Sequence, residues 1–313
     1  MPTISVVIPV RNEEHNIPVL TTRLIANLEK MGLHFEIIYV TDLNSDRTFE
    51  VIKAEIADDS RVKCLKLSNS FGHHIAVMAG IEACGGSAVV LMDGDLQDYP
   101  EDIPLLYSKM MSGYDVVYAL KEQKNEGRLR NLFSYIFNKI FAWLSDYTIS
   151  ANSCLFRIMT RKTVAELLKF KEYNPSLTYL MGYINFPTAR IKACSGKRVA
   201  GKSKYGICRQ LGFALTSLLS YSTKPLMLLS LLGIFFSILS IAYALVVLCQ
   251  KIFSRIEITG WTTIIILMTL LGGLQLFGMG ILGMYIGQIF LQSKGRPLYV
   301  VQEKVGRFDH DAH

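Results

Sequence analysis

The chain has 313 residues, half of them hydrophobic and 19% charged, with a formal net charge of +7. That length can hold one sizeable α/β domain plus additional elements. The basic residues are dispersed and concentrate only in KRVAGKSKYGICRQ, which points to an anionic membrane surface rather than nucleic acid. The six cysteines show no CxxC pairing or zinc spacing, so they read as reduced and structural.

In chain order, Ile4 to Val10 (ISVVIPV) is a β-branched run that predicts a buried strand, and Asn12 and Glu13 lead into a helical pattern through Leu28. Phe35 to Val40 (FEIIYV) predicts the next strand. A helix from about Thr48, a strand at Val62 to Leu67, a helix from about His74 to Ala83 and a strand at Ala88 to Met92 continue the alternation. Such alternation predicts an α/β fold with a mostly parallel, doubly wound sheet. Sheets of this kind bind ligands outside the carboxyl ends of their strands. The polar residues there are Arg11 to Glu14, Thr41 to Asp46 and, after the fourth strand, MDGDLQDYPE. Asp93 and Asp95 stand at i and i+2, and in extended chain both would point to one side. Oxygen ligands on one side suit Mg2+ or Mn2+, which take a few carboxylates and complete their shell with water and substrate phosphates. No GxGxxG follows the first strand and no GxxxxGK[ST] occurs, which removes support for dinucleotide and P-loop readings.

The later half changes character. Pro225 to Cys249 is about 25 uncharged residues, enough at about 1.5 Å each to cross roughly 30 Å of hydrocarbon. A second apolar run, Gly260 to Leu291, is longer than one crossing needs. Together they predict a helical hairpin with both flanks on one side. Lys202, Lys204, Arg209, Lys224, Lys294 and Arg296 mark that side as cytoplasmic, although Lys251 and Arg255 lie in the outer loop. The N-terminus lacks a basic region followed by an apolar stretch and cleavage site, so no export of the domain is expected. Ile207 to Tyr221 patterns as an interfacial helix, able to hold a site at headgroup depth. Glycines 272, 273, 278, 280, 283 and 287 in the second run suggest close helix contacts, within the chain or between subunits.

The segments VVIPVRNEE, MDGDLQDYPE and GKSKY and the double span, taken in order, resemble the family-2 glycosyltransferases that make polyprenyl-phosphate sugars. That group includes dolichyl-phosphate mannose synthases, bactoprenol glucosyltransferases and the aminoarabinose transferase of lipid A modification. The double span followed by KGRPLYVVQEKV is most similar to the bacterial members. The resemblance implies a GT-A fold, an inverting transfer, a divalent metal, a nucleotide-sugar donor in the form of a UDP-sugar, a polyprenyl (undecaprenyl) phosphate acceptor and a homo-oligomer, a tetramer. Carried over by position, Pro9, Glu13 and Asp42 would hold the nucleoside, and Asp93, Asp95 and Gln97 the metal and diphosphate. Lys121 and Arg130 fall near basic positions used for phosphates. A phosphate acceptor has a second pKa of about 6 and needs positioning and charge compensation more than a base, tasks open to Arg157, Arg130, Lys202 and Lys204.

The implied organisation is a cytoplasmic catalytic domain at 1–200, a juxtamembrane region at 201–224, spans at 225–250 and 260–291, an outer loop at 251–259 and a cytoplasmic tail at 292–313, in a bacterial inner membrane. The chain departs from its relatives at three places. Thr41, Asp42, Leu43, Asn44 replaces DDGS. The aspartate before the Phe156-Arg157 pair is absent, and Asn69, Ser70 stand where relatives often carry an arginine. A noncatalytic scaffold or channel on a degenerate transferase domain would explain these departures but gives no reason to retain MDGDLQD. A processive synthase would carry a QxxRW-type segment and more spans.

Overall fold

The structure, a computed structural model, describes residues 2–121, 139, 155–173, 175–193, 222–253 and 260–308. They fall into two units: a sheet domain, to which the chain returns from Arg296 onward, and a helical pair.

The sheet domain begins with β1 (Ile4–Val10), α1 (Ile17–Lys30), β2 (Phe35–Thr41), α2 (Thr48–Asp58), β3 (Val62–Leu67), α3 (His73–Ala83) and β4 (Ala88–Leu91). A short 3-10 turn at Pro100–Asp102 leads to α4 (Ile103–Met111) and β5 (Val116–Lys121), and the described chain resumes with β6 (Arg157–Thr160), α5 (Arg161–Leu167), α6 (Leu177–Ile184) and β7 (Thr188–Ala193). After the helical pair comes β8 (Val301–Val305). The sheet order is β7-β5-β6-β4-β1-β2-β3-β8. Pairings β4-β1-β2-β3 and β5-β7 are parallel, whereas β6 runs antiparallel to β4 and β5, and β8 antiparallel to β3.

The central strands β1, β2 and β4 are buried along their whole length and mostly apolar because both faces are covered. Ile4, Val6, Ile8 and Val10 pack with α1, α2 and α4 residues on one face, while Val7, Ile38 and Val40 pack with α3 on the other. Gly80 lets α3 lie close, since a Cβ there would stand 2.8 Å from Val40 Cγ2. At the amino-terminal edge of the strands a buried ion pair joins β2 to β3: Lys63 Nζ donates to Glu36 Oε2 at 2.6 Å. Glu36 Oε1 accepts from Ser5 and from Gly85 N–H at 2.7 Å. Each charge is thereby paired and hydrogen-bonded, the condition for burying it.

The expected alternation appears over residues 4–91, with the fourth strand ending at Leu91 instead of Met92. The residues following the second apolar run, read from sequence as a tail, form β8 and close the sheet edge beside β3. The helical pair comprises α7 (Lys224–Phe253) and α8 (Trp261–Ser293), both long and apolar enough to cross a membrane. Tyr285 donates its hydroxyl to Ser222 O at 2.7 Å across the pair. Among the described residues, Gly278 is the one α8 glycine that faces α7: a Cβ there would meet Leu229 at 3.4 Å, and at the other five no described atom lies within 4 Å.

Candidate active site

Because β1, β2, β3 and β4 are parallel, the turns that follow them gather at one edge of the sheet, and the order reverses between β1 and β4. That reversal is where open α/β sheets hold ligands. β1 outlasts β4, whose pairing with it ends at Val7–Leu91, so Pro9 sits where β4 has already turned away. A strand proline is tolerated at such a place.

The turns after β1 and β2 are stapled to each other. Asn12, with φ 57°, donates its N–H to Asn44 Oδ1 at 3.1 Å and accepts Ser45 N–H on Oδ1 at 2.8 Å. Glu13 N–H donates to Thr48 Oγ1 at 2.8 Å, and Asn16 donates to the Glu13 carboxylate. Asn44 also donates to Thr41 Oγ1 at 2.7 Å and to Asp42 O at 3.2 Å. Burial works against ionisation of Asp46, but the Thr48 hydroxyl and the backbone N–H groups of Thr48 and Glu14 outweigh it and hold its carboxyl below the usual range.

Asp42 lies buried at the end of β2, with Oδ2 accepting from Ser70 Oγ at 2.7 Å. Arg11 donates to Ser70 Oγ at 3.0 Å and holds Nε 3.6 Å from Asp42 Oδ1. A basic group thus reaches the Asn69-Ser70 segment from the neighbouring turn.

Asp93 and Asp95 do not lie in extended chain. The strand has ended, residues 94–96 bend, and Leu96 takes φ 60°. The expectation that an extended i, i+2 pair would share one side is corrected here: a turn sets their placement. Three features fix that turn. Asp98, buried, accepts Asp93 N–H at 3.0 Å. Gly94 packs on the end of β1, where a Cβ would stand 2.5 Å from Val10 Cγ1. Behind it, Arg23 of α1 grips Glu101 through two bonds of 2.9 and 2.6 Å and keeps that carboxyl below its usual range.

Gln97 donates its side-chain N–H to Asp95 Oδ2 at 2.6 Å and its backbone N–H to Oδ1 at 3.1 Å. His73, the first residue of α3, brings Nε2 to 3.6 Å from Asp93 Oδ1. Beside it, burial above all, with His73 and Arg157, pushes His74 down to about 4. Among the described residues no three His, Cys, Asp or Glu side chains form a metal cage. Two turn carboxylates with an amide beside them fit an oxygen-loving cation that takes its remaining ligands from a diphosphate and water.

Arg157 opens β6 opposite Leu91, is 2% exposed, and stands 4.9 Å from the Tyr118 ring centre. The backbone of Lys121 ends β5 at the same edge. Arg130, Lys202, Lys204 and the expected interfacial helix at 207–221 lie outside the described residues. Sequence reading gave no role to Arg11, Ser70, His73 or His74. Arg11 stood among the polar residues after β1, and the SFGHH run after β3, which carries the other three, became informative once the parallel order placed its turn beside the rest.

The mostly parallel mixed sheet, with its turns gathered at one edge, defines a GT-A type fold. Residues 5–168 match the model of glycosyl transferase family 2. An uncharacterized glycosyltransferase, YkcC, of Bacillus subtilis (strain 168) is 35% identical over 303 residues, covering 96% of this chain and 94% of that one. The undecaprenyl-phosphate 4-deoxy-4-formamido-L-arabinose transferase of Shewanella sediminis is 31% identical over 303 residues, covering 96% and 92%. Among solved structures, glucosyl-3-phosphoglycerate synthase from Mycobacterium tuberculosis, in complex with Mn2+, UDP and phosphoglyceric acid, superposes with a TM-score of 0.51 at 20% identity. It covers 70% of this chain and 78% of that one. The chain belongs to glycosyl transferase family 2 and is a glycosyltransferase.

Proposed function

We propose that the protein transfers a sugar from a nucleoside-diphosphate donor, a UDP-sugar, to the phosphate of undecaprenyl or a similar polyprenyl lipid. The observation that carries this reading is the combination of a strand-end carboxylate turn with two apolar helices, from which the chain returns to the same sheet as β8. A soluble acceptor would not require the helices. The relative from Shewanella sediminis is named for undecaprenyl phosphate, and the mycobacterial synthase was solved with UDP and Mn2+. Return to one sheet supports a pair that enters and leaves a bilayer on the same side, and the flanking basic residues support a cytoplasmic side.

In this reading Pro9, Glu13 and Asp42 frame the nucleoside, while Asp93 and Asp95, steadied by Gln97, would hold Mg2+ or Mn2+ beside the diphosphate. When bound, the cation supplies Lewis-acid neutralisation of the leaving diphosphate. The chain's own part is to hold the reactants in line. An acceptor phosphate oxygen bonds to the anomeric carbon as the bond to the diphosphate breaks on the opposite face, so the configuration inverts. The buried Arg157, with Lys121, Arg130, Lys202 and Lys204 as further basic groups, offsets repulsion between the two anions.

The test is transfer of label from a panel of UDP- and GDP-sugars to undecaprenyl phosphate in detergent, with and without Mn2+. Labelled lipid that requires the metal and falls by roughly 100-fold or more in Asp95→Ala is the expected result. A folded protein that yields no labelled lipid from any donor would overturn the acceptor and donor assignment.

A further inference from the structure

β8 does more than cover an edge. Its ladder with β3 runs from Cys64–Val305 to Leu67–Val301, shifting register between Lys66 and Leu67. One residue beyond, Ser68 donates its N–H to Val300 O at 2.9 Å. Two further ties hold the same strand to the helices on either face of the sheet. Lys53 of α2 pairs with Glu303 at 2.8 Å, and the Tyr299 hydroxyl donates to Glu82 of α3 at 2.6 Å. Phe308, just past the strand, is buried in the core beneath α3.

What those ties fix is the six-residue turn from Ser68 to His73. Ser70 in that turn donates to Asp42, and Gly72 takes φ 98°. His73 then starts α3 with Nε2 3.6 Å from Asp93. The turn therefore spans from the carboxylate after β2 to the one after β4. Without β8 its first residue would follow a strand paired on one side only, by β2 as far as Lys66, with the N–H and C=O groups of its other edge left open and the strand end less held against fraying. Ordering such a turn at the moment a ligand binds costs conformational entropy for each residue fixed, so a turn held in advance binds more tightly.

We propose that the strand returning from the helical pair is a positioning element of the donor site. In this arrangement Tyr299, Val300 and Val301 hold the Ser68–His73 turn so that Ser70 and His73 meet Asp42 and Asp93. The nucleotide site is then complete only in a chain that has made both apolar helices and come back. This rests on the proposed nucleotide-sugar reaction, and the experiment separates the two.

Binding of UDP and GDP in the presence of Mn2+ is measured by calorimetry on three full-length or near-full-length proteins in nanodiscs: wild type, a chain ending at Gly295, and Tyr299→Phe. A synthetic peptide of residues 296–308 is then added to the shortened chain, since a missing edge strand can be supplied in trans. The expected result is nucleotide affinity about tenfold weaker or more in the shortened chain, restored by the peptide. Tyr299→Phe should show a several-fold rise in Kd and donor KM, with kcat and the unfolding midpoint unchanged.

Wild-type affinity in the shortened chain, or a peptide that binds without restoring affinity, overturns the positioning role. If the shortened chain does not fold, Tyr299→Phe decides. An unchanged Kd and KM in that variant, or a fall in its unfolding midpoint with no change in either, overturns the proposal. A folded wild-type protein that binds neither nucleotide overturns the proposed reaction itself, and this inference with it.

Discussion

Asp95 and His74 show how differently single side chains disclosed themselves. Asp95 stood out in the sequence as half of a carboxylate pair after an apolar strand, and the structure adds that a bend sets its placement and that Gln97 steadies both its oxygens. His74 gave no comparable signal, because its role depends on burial beside His73 and near Arg157. With a folded pKa of about 4 against 6.5 for an open chain, it is neutral in the native protein and takes up a proton on unfolding between those values. Stability contributed by keeping it neutral is complete above pH 6.5 and is lost as pH falls toward 4, by up to about 3 kcal/mol. Unfolding midpoints measured across that range should fall with acidity in the wild type and fall less steeply in His74→Gln. Glu36 and Lys63 make a related point. In sequence they read as charges on strands, and only the parallel register of β2 and β3 makes them a buried pair. Removing one partner in Lys63→Ala strands the other charge, so denaturant unfolding should show a loss of about 3–5 kcal/mol, with Lys63→Met/Glu36→Leu recovering much of it.

Elements up to β4 were legible because each is a short apolar run bounded by polar turn residues, and burial on both faces makes such runs continuous. β8 was not. Its sequence VQEKV has three exposed residues between two half-buried valines, the pattern of an edge strand, which outside its sheet resembles a polar tail. The carboxylate turn was legible as a motif but not as a shape, since its bend depends on Asp98 and on the fit of Gly94 against Val10. That contact makes a prediction. Gly94→Ala forces the turn or Val10 to move by several tenths of an ångström, enough to misplace both carboxylates, and should lower kcat/KM for sugar transfer by roughly 10- to 100-fold. Adding Val10→Ala should recover part of the loss, because the two effects share one contact. A double variant no better than Gly94→Ala alone would show that the defect lies elsewhere in the turn.

The whole chain is a sheet domain interrupted by a helical pair, with β8 as the returning end. For a membrane-inserted protein this predicts that residues after α8 share a compartment with the N-terminal domain. In a chain whose native cysteines are serine, Arg307→Cys in inside-out vesicles should react with an impermeant maleimide as an N-terminal-domain cysteine such as Lys30→Cys does. Both should be silent in right-side-out vesicles. Opposite reactivity of the two would mean a single crossing. Arg307 and Lys30 are both exposed, so accessibility of the side chains does not limit either reaction.

The sequence by itself determined the alternating first half, the acidic turn after its fourth strand and the two apolar helices. Each depends on periodicity or run length within a few adjacent residues, and local chain geometry translates those directly. Tertiary structure alone decided which turns meet. Arg11, Asp42 and Ser70 are separated by about 30 residues or more and come together because parallel strands in the order β4-β1-β2-β3 end at one edge. It also decided that a polar C-terminal segment would pair with β3, since the hydrogen bonds that hold it are made by backbone groups carried by every residue and therefore leave little trace in the sequence.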